Sequence, residues 1–127
     1  PVQVVASGWE VGNELPFPYQ SILNDFGNPD EHPLTVSYQL YDKMPYDRPT
    51  WDMTAVLYAI EPDSVFFNLS PNGKIHINRI GKSFFIPSEK GKQHFLLIEE
   101  SQKKRTLNAL VRRVIPNKNH DIVNILY

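Results

Sequence analysis

The chain is 127 residues long, enough for one domain at most, and carries 13 basic against 14 acidic side chains for a formal charge of −1. That balance excludes a general basic field, so no nucleic-acid partner is expected. With no cysteine there is neither a disulfide frame nor a thiolate metal site, and no apolar run is long enough to cross a membrane, so no membrane partner is expected either.

No signal peptide opens the chain. A start at Pro1 without an initiator Met reads as a processed, cloned or cleaved end. A soluble location, cytoplasmic or periplasmic, is the expectation. Val2 to Ala6 is rich in Val and closed by Ser7-Gly8, which predicts a short strand. An apolar strand of this kind usually lies inside a covered parallel sheet. No parallel neighbour is evident downstream, so its partners are expected upstream, in a missing N-terminal portion.

Gly8 to Pro18 reads as a loop. Its Glu10 is either a site carboxylate or a solvated acid, and its Trp9 either lines a pocket or covers a core edge. Pro18 suits the first turn of a helix to about Phe26, with Ile22 and Phe26 on one face. Gly27-Asn28-Pro29-Asp30 is a turn. Pro33 opens a helix to about Lys43 whose Leu34, Tyr38 and Tyr41 share a face. His32 before it reads as an exposed capping neighbour rather than a catalytic group.

The next helix starts after the turn Pro45 to Pro49. Thr50 is the expected N-cap, and Asp52 falls in the first turn, where its charge meets the positive end of the helix dipole. Val56, Ala59 and Ile60 form the expected apolar stripe, and Pro62 ends the element. Asp52 has two readings: a carboxylate that steadies the helix, or a metal ligand. One Asp does not decide, because calcium takes about six to eight oxygens.

After Pro62 the period becomes alternating. Strands are predicted at 65–69, 74–78, 83–87 and 93–99, joined by turns at Ser70-Pro71-Asn72-Gly73, Ile80-Gly81 and Glu89-Lys90-Gly91-Lys92. Residues 63–100 thus read as an antiparallel β-meander. His76 and His94 fall on its solvated side and lack ligands at metal spacing. Ser101 is the expected cap of a last helix over 101–116. Leu107, Leu110, Val111 and Val114 mark its apolar face, and Lys103, Lys104, Arg105, Arg112 and Arg113 its basic one. Residues 117–127 form a tail whose Ile122, Val123, Ile125 and Leu126 suggest docking.

Three segments in order carry a family resemblance. Thr50-Trp51-Asp52-Met53-Thr54-Ala55-Val56-Leu57-Tyr58-Ala59 resembles the C-terminal motif of the inosine/uridine-preferring nucleoside hydrolases, typically His-Asp-x-x-Ala-Val and then small and apolar residues. Asp52, Ala55 and Val56 match in register, and Trp51 stands where the typical member has His. Ser7-Gly8-Trp9-Glu10-Val11-Gly12 looks like the segment after a core strand of that family, and Met44 to Pro49 resembles one branch of it. The resemblance runs to about Pro116.

It implies an α/β, Rossmann-like fold of which residues 1–127 are a C-terminal fragment: strand and helices over 1–62, meander over 63–100, helix over 101–116, then the tail. It also implies hydrolysis of the N-glycosidic bond of ribonucleosides assisted by calcium, with Asp52 giving one calcium oxygen and Trp51 stacking on the nucleobase in place of the acid His. The family's Asp-x-Asp-x-x-x-Asp-Asp motif is absent from this sequence. The isolated chain is therefore expected to be inactive and to bind no calcium alone. Its partners would be the missing N-terminal portion, a nucleoside in the complete enzyme, and further copies in a homo-oligomer. A non-enzymatic interaction module and a degenerate family member are the alternatives.

Overall fold

A computed structural model describes residues 4–26, 28 and 30–116. Val2, Gly27, Pro29 and the tail 117–127 lie outside the described residues, and with them the expectation that the tail docks. The order is β1 (Val4–Ala6), α1 (Trp9–Asn13), α2 (Tyr19–Asn24), α3 (Pro33–Tyr41), α4 (Trp51–Ile60), β2 (Asn68–Leu69), β3 (Gly73–Ile77), β4 (Ser83–Pro87), β5 (Gln93–Leu97) and α5 (Glu100–Val114). The architecture is mixed α/β: among the described residues there are five helices and an open mixed sheet of order β1-β5-β3-β4, with β2 also on β5.

The expected meander is corrected by this order. β3 and β4 form a regular antiparallel hairpin from Gly73↔Pro87 to Ile77↔Ser83. β5, however, lies beyond β3 and meets it at Gly73↔Gln93. The chain leaves β4, crosses the start of β3 and returns on the far side. Two glycines allow the crossing: a Cβ at Gly91 would overlap the Gly73 backbone, and one at Gly73 the Phe85 ring. The Ser88 N–H donates to the Asn72 carbonyl at 3.0 Å and the Gly91 N–H to Ser88 at 2.8 Å, which fixes the return.

The same topology corrects the reading of the first strand. β1 finds its parallel neighbour downstream, from Val4↔Gln93 to Ala6↔Phe95. The partner was hidden because β5 is separated from it by most of the chain. The predicted strand at 65–69 shortens to β2, since Phe66 and Phe67 turn into the core. Between β2 and β3 the buried Ser70 replaces strand pairing at the Pro71 corner. Its N–H donates to the Phe95 carbonyl at 2.9 Å and its hydroxyl accepts from the Phe95 N–H at 3.0 Å. His94 Nδ1 lies 2.8 Å from the Ser70 carbonyl, so this ring is half-buried and structural, not a surface group.

The main core lies where α1, α4 and α5 meet the sheet. Val11, Leu15, Leu57, Phe66, Phe67, Leu96, Ala109 and Leu110 are buried there together. A second cluster joins Phe17, Ile22, Phe26 and Tyr38 of the α2–α3 region, and Met53 packs against both. The stripe expected on α4 is corrected: Val56 and Ile60 are exposed, while Thr54 and Leu57 are buried. α4 is apolar nearly all round, so periodicity alone did not single out its inner face. On α5 the inner face is Thr106, Ala109 and Leu110, and Val114 is exposed. Its start is also corrected. Glu99 and Gln102 make a reciprocal capping box, so Ser101 lies inside the helix.

Candidate functional site

The segments that carry the resemblance converge at the carboxyl end of β1. Gly8 follows the strand with φ +79, a left-handed conformation that suits glycine, and turns the chain into α1. Gly8 to Pro18 therefore holds a helical turn where a loop was expected. Trp9 opens it, 72% exposed. Its ring stacks on Trp51 with centroids 4.9 Å apart and planes 22° from parallel.

Several contacts clamp α1 to the start of α4. The Trp51 indole Nε1–H donates to the Trp9 carbonyl at 3.2 Å. The Thr50 N–H donates to the Gly12 carbonyl at 3.0 Å. The Thr50 hydroxyl donates to the Leu15 carbonyl at 2.7 Å and makes no cap bond to α4, though Thr50 holds the N-cap position. A Cβ at Gly12 would overlap the Trp51 side chain, so the two helices pack at glycine distance. Just upstream, Phe17 and Arg48 exchange backbone hydrogen bonds of 2.8 and 3.2 Å. The Arg48 guanidinium sits 3.8 Å from the Tyr41 ring centroid and holds the 44–49 turn on α3. Its contact with Tyr41 raises the Arg48 pKa, against a smaller lowering by burial, and the neighbouring Tyr46 and Tyr38 add to the rise.

Beside Trp9 the sheet leaves an open cleft of ≈ 310 Å³. Glu10, Phe84, Phe85 and Phe95 share its wall with Trp9. Aromatic faces and one carboxylate at such an edge suit a planar ligand with hydroxyl or amino groups. Ligands of open α/β sheets commonly sit beyond the carboxyl ends of parallel strands.

Of the two site residues expected from sequence, Trp51 joins this region but presents its face to Trp9. Trp9 is the outward ring, and its exposure had no signal in the sequence. Asp52 is exposed in the first turn of α4, as expected. It lines a separate groove of ≈ 330 Å³ between α4 and α5, among Met53, Val56, Ile60 and Val114. Among the described residues no three His, Asp or Glu side chains gather to hold a metal. One carboxylate among apolar side chains and the Arg113 guanidinium does not fit a calcium shell of about six to eight oxygens. The described residues thus do not make the expected calcium site by themselves.

The remaining candidates have structural partners. His32 holds the N-cap of α3, where its Nδ1 accepts from the Leu34 N–H at 3.2 Å, and its ring packs on Phe26. The α5 cations are partly engaged. Arg113 pairs with Glu61, Lys103 pairs with Glu14 and with Glu100 at 2.6 Å, and Arg105 lies over Phe66. Among the described residues no helix is long and apolar enough to cross a membrane. Compared with known proteins, the chain matches no family model, no curated protein and no solved structure.

Proposed function

We propose that the chain is the C-terminal part of a nucleoside-hydrolase-like enzyme that cleaves the N-glycosidic bond of ribonucleosides and is inactive alone. One observation carries the reading. Ser7 to Gly12 and Thr50 to Ala55, far apart in sequence, pack together through the Trp9–Trp51 stack at the carboxyl end of β1. In this reading the Trp9 ring supplies an aromatic wall for a nucleobase, and Glu10 offers an acceptor to sugar or base. Calcium would need most of its oxygens from outside this chain, so no step through a metal is derived from it.

The test is an intact-mass measurement on the native protein, with the upstream reading frame, followed by an assay of base release from ribonucleosides. A longer product that carries an Asp-rich motif and releases base supports the reading. A native product of this length, or a longer one that releases no base in the presence of calcium, overturns it. The exposed apolar side chains of the β3–β4 hairpin favour a second reading, a module that works by docking.

A further inference from the structure

The β3–β4 hairpin contributes no side chain to either core cluster. Ile77 is 65% exposed, Ile80 85%, Phe84 42% and Ile86 52%. Between Ser64 and Ser88 the charged residues are Lys74, Arg79 and Lys82, with no Asp or Glu. The cross-strand pairs Lys74↔Ile86 and His76↔Phe84 set the Lys74 cation, the His76 imidazole and two apolar side chains on one face. Arg79 and Lys82 flank Ile80 at the tip, and the Lys82 ammonium lies 5.5 Å from the Phe84 ring centroid. We propose that this hairpin docks on an anionic phospholipid surface, with Ile80 entering the interface and Lys74, Arg79 and Lys82 meeting the headgroups.

The turn is built for such a contact. An apolar tip enters a poorly hydrated layer cheaply only when its backbone groups are paired. Here the Asn78 carboxamide oxygen accepts from the Ile80 N–H at 3.1 Å and the Lys82 N–H at 2.9 Å. The Gly81 N–H donates to the Asn78 carbonyl, and the Asn78 N–H to the Lys82 carbonyl, both at 3.0 Å. Gly81 takes φ +80, which closes the three-residue loop. The tip thus leaves its aliphatic side chain outward and most of its donors satisfied within.

Charge and side-chain type select the occupant. A second copy placed face to face would oppose Lys74, Arg79 and Lys82 to themselves, which is unfavourable. Single-stranded nucleic acid is held by open aromatic faces, whereas the outermost side chain here is Ile80. Protein interface cores are depleted in lysine. Lysine beside exposed aliphatic groups is the pattern of an interfacial anchor, whose stem lies along apolar surface while its charge reaches the headgroups. A surface contact needs no spanning segment. The absence of a long apolar run, which led to the expectation of no membrane partner, therefore does not bear on it. Phe84 also stands in the wall of the cleft beside Trp9, but neither the inference nor its test needs the nucleoside-hydrolase reading.

The experiment is co-sedimentation of the full chain, with any sequence its reading frame adds, on two kinds of vesicle. One is phosphatidylcholine alone, and the other contains phosphatidylserine as well. Binding to the anionic vesicles only, weakening as salt rises, is expected. Lys82→Gln should lower the partition coefficient about fivefold, and Ile80→Ser about tenfold. Ile80→Trp should gain a blue-shifted emission that brominated lipid quenches, a readout that does not depend on how the Ser variant folds. Failure to bind anionic vesicles at low salt overturns the proposal. So does an unquenched Ile80→Trp. Equally tight binding to duplex DNA, unaffected by Ile80→Ser, would assign the hairpin to a polyanion instead and overturn it too.

Discussion

The Trp51 side chain occupies the space that a β-carbon on Gly12 would need. The crossing of α1 over the start of α4 therefore depends on one missing methyl group. Gly12→Ala should destabilise the chain by about 1–3 kcal/mol, the usual cost of overpacking. Urea unfolding followed by circular dichroism should show a lower midpoint with an unchanged slope. A neutral effect would mean that the helices separate freely and that the Trp9–Trp51 stack is not fixed by packing.

Thr50 is 2% exposed, and its hydroxyl gives its proton to Leu15, not to α4. Thr50→Val keeps the shape and leaves the Leu15 carbonyl without that donor. The expected loss is about 1–3 kcal/mol. Thr50→Ser keeps the hydroxyl and should retain more of the stability than Val does. Equal melting temperatures for the two variants would count against the hydrogen bond as the reason for Thr50.

Tyr38 is buried, and desolvation raises its phenol pKa above the ordinary 10.0, with Tyr46 adding to the rise and Arg48 opposing it. The folded state then holds this proton more tightly than the unfolded chain does. Its contribution is whole below pH 10 and is lost as pH rises through the raised value. Melting temperature should fall as pH rises from 10 through the raised value. Tyr38→Phe, which has no proton to lose, should flatten the fall. A parallel decline in both proteins would assign the alkaline loss to other groups.

Asp52→Asn separates the two readings of that residue in the complete protein. As a helix-start charge it contributes roughly 0.3–1 kcal/mol, so melting should drop slightly and calcium titration should not change. As a calcium ligand its loss should weaken calcium binding and turnover steeply with little effect on melting. Calorimetric titration beside thermal melts reads both quantities. Unchanged calcium affinity would leave Asp52 as scaffold, in keeping with the apolar groove it lines.

Local chemistry was legible in the sequence and long-range pairing was not. Pro33 and Pro62 bracket helices, and β4 has the bounds its alternation predicted. The first strand was read, but its pairing to β5 depends on a crossing over β3 that Gly73 and Gly91 permit and no local period encodes. Glu99 outcompeted Ser101 as the cap because Gln102 reaches back to the Glu99 N–H, at 2.8 Å. At the site, the sequence points to Trp51 and leaves Trp9 open between lining a pocket and covering a core edge. Which of two stacked indoles faces outward is set by helix packing, not by residue type.

Among the described residues β5 pairs with β1, β2 and β3, and it is the last strand. During synthesis β1 is made first and must wait roughly ninety residues for its neighbour, so the helices between them can form before the sheet closes. Order in this sheet therefore waits for β5. A ribosome stalled before Gln93 would hold a nascent chain with a bare first strand and a hairpin with nothing beside it. Such a species is a client for a chaperone, and the arrival of β5 lets its sheet close.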